Sequence, residues 1–164
     1  MRDKWHRLCH MTAVTVTRTA TVPASPDAVW ATLADLDAIS AWAGNVDHSA
    51  VTTEATEGVG AARRVQAGRV VLIETVTVWE APTSLAYTLD GLPPLARTVT
   101  NRWDLAPAPG DTTSVTLTTT IEPLGGPRGR IGQRILGRVL AKAADDLVTG
   151  LVAHDHSAPG GTSA

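Results

Sequence analysis

The chain has 164 residues, 43% hydrophobic and 18% charged, with a formal net charge of −2. This suits one globular domain with a substantial core and lacks the basic excess of a nucleic-acid surface. The lone cysteine, Cys9, excludes an intrachain disulfide and fits a reducing cytoplasm, and no apolar run reaches membrane-spanning length.

Residues 1–12 read as a flexible extension. Arg2, Lys4 and Arg7 have no apolar stretch behind them, so no signal peptide is expected, and Met11 is an alternative start. The domain is expected over 13–153. Its first strand is Val14 to Val22, with Val14, Val16, Arg18, Ala20 and Val22 on one face and four threonines on the other. Ser25 suits an N-cap, Pro26 the first helical position and Asp27 the helix dipole, so a helix should run from Pro26 to Asp35. A second short helix spans about Asp37 to Trp42.

Six strands follow: Val46–Thr53, Ala61–Gln66, Val70–Trp79, Leu85–Leu89, Ala96–Leu105 and Ser114–Glu122. Their short spacing, punctuated by Gly68, Asp90-Gly91 and Pro107–Asp111, argues antiparallel pairing. After Pro127 a long helix is expected over Arg128–Ala153. Ile131, Ile135, Leu136, Val139, Leu140, Ala143, Leu147 and Leu151 give it an apolar stripe to lay on the sheet. The tail, 154–164, reads as disordered. His154-Asp155-His156 resembles a metal fragment only superficially, and no metal or cofactor is expected.

The alternation is broken by charge at one telling place. Val70, Leu72, Glu74, Val76 and Val78 share a face, so a carboxylate points where valines and a leucine point. An isolated buried carboxylate costs several kcal/mol. Glu74 therefore needs a partner or a wet cavity. The same parity argument turns Arg18, Arg63, Tyr87, Arg97, Asn101 and Trp103 inward. Two readings of this set stay open. Glu74 pairs with an arginine and organises the interior, or the set forms the polar end of a pocket with apolar walls. In the second case an unpaired Glu74 is a candidate acid or base. A binder without chemistry would tolerate Glu74→Gln with little change in fold or affinity. Trp30 reads as core, Trp42 as either core or cavity lid, and Trp79 as surface or strand-end packing.

The motifs resemble one family. Thr21-Val-Pro-Ala-Ser-Pro-Asp-Ala-Val-Trp-Ala-Thr-Leu-Ala-Asp35 is similar to the first-strand and first-helix signature of the SRPBCC superfamily, the START-like and birch-pollen-allergen-like proteins. Gly58-Val-Gly-Ala-Ala-Arg-Arg64 is similar to its glycine hairpin. Glu74, Tyr87 and the Pro82 turn fall where related members carry similar residues. The resemblance covers Val14 to Val152. It implies an α+β helix-grip fold, a seven-stranded antiparallel sheet wrapped round the long C-terminal helix with a hydrophobic cavity between.

It also implies a small hydrophobic or aromatic ligand, lipid- or polyketide-like; the family has no shared catalytic signature, so the residues expected to hold it, Arg18, Trp42, Arg63, Tyr87, Arg97, Asn101 and Trp103, are those argued one by one from this sequence. A second expectation is a cyclase or dehydratase with Glu74 as the catalytic acid/base. A third uses the basic row Arg130, Arg134, Arg138 and Lys142 on the last helix, either a solvated face or a contact for an anionic membrane or acidic partner. A monomer or homodimer is expected, and no nucleic-acid partner.

Overall fold

The computed structural model describes residues 12–154 and His156. The expected extension at 1–12 therefore lies outside the described residues except for Thr12. So does the expected tail, except for His154 and His156.

The chain runs β1 (Val14–Val22), α1 (Pro26–Ala34), α2 (Ile39–Trp42), β2 (His48–Val51), β3 (Ala62–Ala67), β4 (Val70–Glu80), β5 (Ser84–Asp90), β6 (Ala96–Ala108), β7 (Thr112–Pro123) and α3 (Gly126–Ala153). The strands form one seven-stranded antiparallel sheet in the order β1-β7-β6-β5-β4-β3-β2. Strands β2 to β7 follow one another as a meander, and β1 closes beside β7. This is the helix-grip α+β architecture that the resemblance implied.

Local chemistry accounts for the entry into the fold. Ser25 caps α1 with extended backbone, its Oγ accepting from the Ala28 N–H at 3.4 Å, and Pro26 and Asp27 occupy the first turn. On the outer face of the sheet, threonines of β1 and β7 stand opposite one another, as in Thr17↔Thr118 and Thr19↔Thr116. The Thr19 and Thr116 hydroxyls lie 3.1 Å apart, a cross-strand hydrogen bond that leaves the apolar alternates for the core. Buried in that core are Val22, Val29, Leu33, Leu85, Leu117, Ile121 and Leu151.

Most element ends shift by one to three residues from expectation, and the larger shifts are these. α2 starts at Ile39, and β2 at His48. β6 continues through the turn-prone Pro107 to Ala108. β5 ends its pairing at Ser84↔Asp104, so beyond that point β6 has only β7 as a neighbour. A proline there leaves no ladder donor missing on the open side.

The long helix also departs from the expected pattern. From Leu136 onward its inner side is buried through Leu136, Leu140, Ala144, Leu147, Val148 and Leu151. Ile131, Ile135 and Val139, assigned to the same stripe, are instead exposed. Each of them lies about 100° round the helix from the residue that follows it, so this row faces away from the buried row through Leu136 and Leu140. At the tail, His154 closes α3 by donating its N–H to Gly150 O at 3.0 Å. The His156 ring sits between Thr32 Oγ1 at 2.9 Å and Leu151 O at 2.8 Å, so His156 is held against α1.

Gly150 sets the closest approach of α3 to the rest. A Cβ at that position would lie 2.1 Å from the carbonyl oxygen of Trp42, against backbone that cannot yield. Gly137, on the same helix, has nothing within 4 Å of where its Cβ would be. The two positions should therefore respond with opposite sign. Gly150→Ala is expected to destabilise by about 1–3 kcal/mol despite the better helix former. Gly137→Ala should gain up to about 1 kcal/mol. Thermal unfolding checks both, at roughly 2–4 °C per kcal/mol for a chain of this size.

Candidate ligand-binding site

Between the sheet and α3 lies a cavity of about 450 Å³. Its apolar walls include Val65, Leu72 and Leu89 from the sheet and Leu136, Leu140 and Leu147 from the helix. Glu74, Asn101, Thr119 and Asn45 add polar atoms to the lining, and Lys142 and Asp146 stand on it from α3.

Glu74 is where its strand parity put it, and it is paired. Arg63 on β3 faces it directly in register. Arg63 Nε donates to Glu74 Oε2 at 2.7 Å, with Arg63 only 3% exposed and Glu74 7%. A second guanidinium nitrogen, Nη1, donates to Leu36 O at 3.4 Å, tying the pair to the segment between α1 and α2. The Arg63 Cζ lies 5.2 Å from the centroid of the Tyr87 ring, within cation–π range. Burial pulls the Arg63 pKa down, but Glu74, followed by Tyr87, outweighs it and leaves the guanidinium above its ordinary value. Arg63 is thus a permanent cation inside the protein.

Tyr87 is fully buried, and its hydroxyl accepts from Trp103 Nε1 at 3.2 Å. Burial, reinforced by the nearby Glu74 carboxylate, pushes the phenol up to about 12. Asn101 Oδ1 accepts from Thr119 Oγ1 at 2.7 Å. Two buried polar atoms have no hydrogen-bond partner among the described residues, Trp42 Nε1 and Asn45 Oδ1. Of these residues, Asn45 lines the cavity.

Five of the eight expected site residues come together at the cavity. Glu74 and Asn101 line the cavity, and Arg63, Tyr87 and Trp103 stand behind them as the supporting polar chain. Trp42 is core: it is buried and meets Trp103 edge-to-face at 6.2 Å, outside the cavity wall.

Arg18 faces α3 but is half-exposed and bound to Asp145, whose carboxyl it holds below the usual carboxylate range chiefly through their hydrogen bond. Arg97 does not face inward. The β6–β7 register shifts between Ala96 and Thr98, which puts Arg97 in a bulge and leaves it exposed. A bulge between Val76 and Val78 has the opposite effect on Trp79. It turns Trp79 to the inner side, edge-to-face with Trp30 at 5.3 Å.

Among the cavity residues that were missed are Thr119 and Asn45. Thr119 stood in plain view as the polar member of the inward stripe Val115, Leu117, Thr119, Ile121, the same signal that exposed Glu74. Asn45 lies in a turn, where no periodicity applies.

The fold and the polar-floored cavity define a helix-grip protein of the START-like, SRPBCC type. The chain belongs to the polyketide cyclase / dehydrase and lipid transport family, whose model matches residues 13–154. Solved structures share the fold. The aromatase/cyclase ZhuI of Streptomyces sp. R1128 superposes with a TM-score of 0.69 at 18% identity, covering 86% of this chain and 92% of that one. Ara h 8.0201 gives 0.64 at 15% identity, covering 87% and 100%. A START superfamily protein of Mycobacterium smegmatis gives 0.63 at 17%, covering 84% and 96%. No curated protein matches the chain in sequence.

The pair revises the expected tolerance of Glu74→Gln. That change strands a buried guanidinium, and such losses cost about 3–5 kcal/mol. Replacing both partners, Arg63→Met with Glu74→Leu, should recover most of the loss in denaturant unfolding. Tyr87 allows a second check because it is the only tyrosine in the chain. Its folded pKa lies above the ordinary 10.0, so its protonated form adds stability below about pH 10 that disappears as pH rises towards about 12. Phenolate absorbance should stay absent from the native protein at pH 10.5 and appear with an ordinary midpoint in urea. Alkaline unfolding should accompany its rise in the native protein.

Proposed function

We propose that this chain binds a small hydrophobic or aromatic molecule, lipid- or polyketide-like, in the cavity between sheet and α3. The observation that carries the reading is the cavity itself. About 450 Å³ of space with mainly apolar walls falls in the range of small-molecule sites. Its few polar side chains stand among aliphatic ones, which suits a ligand with an apolar body and a polar group.

The Glu74–Arg63 pair favours a carrier or sensor over an enzyme. Glu74 Oε2 already accepts from a permanent cation, and that carboxylate holds β3 to β4. A cyclase or dehydratase with Glu74 as acid/base remains the alternative. It would have to work with an oxygen of Glu74 other than the one bound to Arg63. Asn45 Oδ1 is a further acceptor without a partner among the described residues, which suits a ligand hydroxyl or N–H.

Native mass spectrometry of the purified protein should reveal a noncovalent small molecule. Titration with 2-naphthol gives a defined probe. Leu72→Trp, which fills the cavity from the β4 wall, should weaken 2-naphthol binding more than about tenfold, or 1.4 kcal/mol. Asn45→Ala should weaken it about fivefold, the worth of one hydrogen bond, and leave 2-methoxynaphthalene binding unchanged. Binding of 2-naphthol indifferent to Leu72→Trp would remove the cavity from the account.

A further inference from the structure

We propose that the outer face of the first half of α3 docks on an anionic phospholipid bilayer beside the mouth of the cavity. Ile131, Ile135 and Val139 stand at successive four-residue steps and are 62%, 50% and 59% exposed. Three aliphatic side chains with half or more of their surface in water form an apolar ridge, and such ridges mark contact surfaces. Ile135 and Val139 also line the cavity, and so does Val70 on β4, itself 43% exposed. The ridge is therefore continuous with the cavity rim.

Arg130, Arg134 and Arg138 run beside the ridge at the same spacing and are all exposed. Among the described residues no carboxylate lies within ion-pair distance of any of the three. The contrast lies further along the helix. Lys142 is bound to Asp146 at 2.8 Å, and Asp145 is taken by Arg18. The free positive charge of α3 is thus confined to the part that carries the exposed ridge. Apolar residues sit on the far side of the arginines as well, where Val14 and Val16 line a furrow of about 500 Å³ between β1 and α3.

Guanidinia flanked by aliphatic side chains match the boundary between phosphate headgroups and acyl chains. An acidic protein surface would satisfy the arginines. However, the ridge offers it no tyrosine, tryptophan or phenylalanine, the residues enriched where protein partners anchor. Docking here would place the cavity rim against the bilayer, so that an apolar ligand could pass without crossing water. That consequence rests on the ligand-cavity reading; the docking surface does not.

Co-sedimentation with vesicles tests it. The full chain should bind 70:30 phosphatidylcholine–phosphatidylglycerol vesicles at 50 mM salt and release at 500 mM, where screening is strong. It should bind pure phosphatidylcholine weakly. Each basic residue at a charged surface is worth about fivefold, so Arg134→Gln with Arg138→Gln should weaken binding about 25-fold. Ile131→Ser should also weaken it. Neither variant touches the cavity lining, so 2-naphthol affinity and thermal midpoint should hold, showing that the fold and cavity survive.

Absence of binding to anionic vesicles at low salt would overturn the proposal. So would equal binding to both vesicle types, or full binding by the double arginine variant. Retention on immobilised polyglutamate without vesicle binding would overturn it in favour of an acidic protein partner. If 2-naphthol binds while vesicles do not, the bilayer surface fails and the cavity reading stands. If vesicles bind while 2-naphthol and co-purified ligands do not, the reverse holds.

Discussion

The buried pair of Arg63 and Glu74 holds the interior in its present form. Removing two charges from water carries a desolvation penalty that their attraction offsets only when geometry and further partners are good. Here the guanidinium has the facing carboxylate, the Leu36 carbonyl and the Tyr87 ring. Those contacts belong to β3, β4, the α1–α2 segment and β5. The pair therefore joins the far half of the sheet to the short helices. It occupies volume that apolar side chains fill elsewhere, and it leaves the neighbouring space to the cavity. Tyr87 and Trp103 extend the polar chain to β6, and a second buried bond joins Asn101 on β6 to Thr119 on β7. The sheet wall of the cavity thus carries Glu74, Asn101 and Thr119 among aliphatic neighbours.

Strand parity made that surface legible before any coordinates. Glu74, Arg63, Tyr87, Asn101 and Trp103 each interrupt or accompany an apolar stripe, and all five turn inward together. Parity failed where a bulge added a residue. Arg97 and Trp79 lie beside or beyond such bulges, and each faces the opposite way from the simple alternation. A one-residue insertion reverses every later position on a strand, and its only trace is in the partner strand. Arg18 shows a different limit. Its face was read correctly, but β1 is an edge strand at the sheet's end. An inward direction there leads to the flank of α3 and Asp145, and the cavity lies elsewhere.

The long helix shows how one sequence pattern can serve two ends. Its apolar residues form two rows. One, through Leu136, Leu140, Ala144 and Leu147, stays on the sheet. The other, through Ile131, Ile135 and Val139, winds out to the rim. Periodicity alone joins them into one stripe, because both obey helical spacing. Only the position of the sheet separates them. The second half of α3 is fixed by the close approach at Gly150. The first half has Gly132 against the backbone of Leu95, so the helix meets the β5–β6 connection there. That connection contributes Leu92, Pro93 and Leu95 to the cavity lining. The first half of the helix therefore bears on a loop, and the second half on the end of α2.

What the cavity selects follows from which polar atoms are already committed. Glu74 Oε2 is held by Arg63, and Asn101 Oδ1 by Thr119. An incoming ligand that competed for either would have to break a buried, charge-assisted or short hydrogen bond, so neither is a cheap recognition element. Asn45 Oδ1 is buried and unpartnered among the described residues, so a donor placed there relieves an existing cost. The same asymmetry separates binding from catalysis. A general base must be free to take a proton and return it. The carboxylate best placed to do so is the one on which the arginine, and with it the packing of four segments, depends. Discrimination in this cavity should thus come from Asn45 and the aliphatic walls, with Glu74 acting through the shape it maintains.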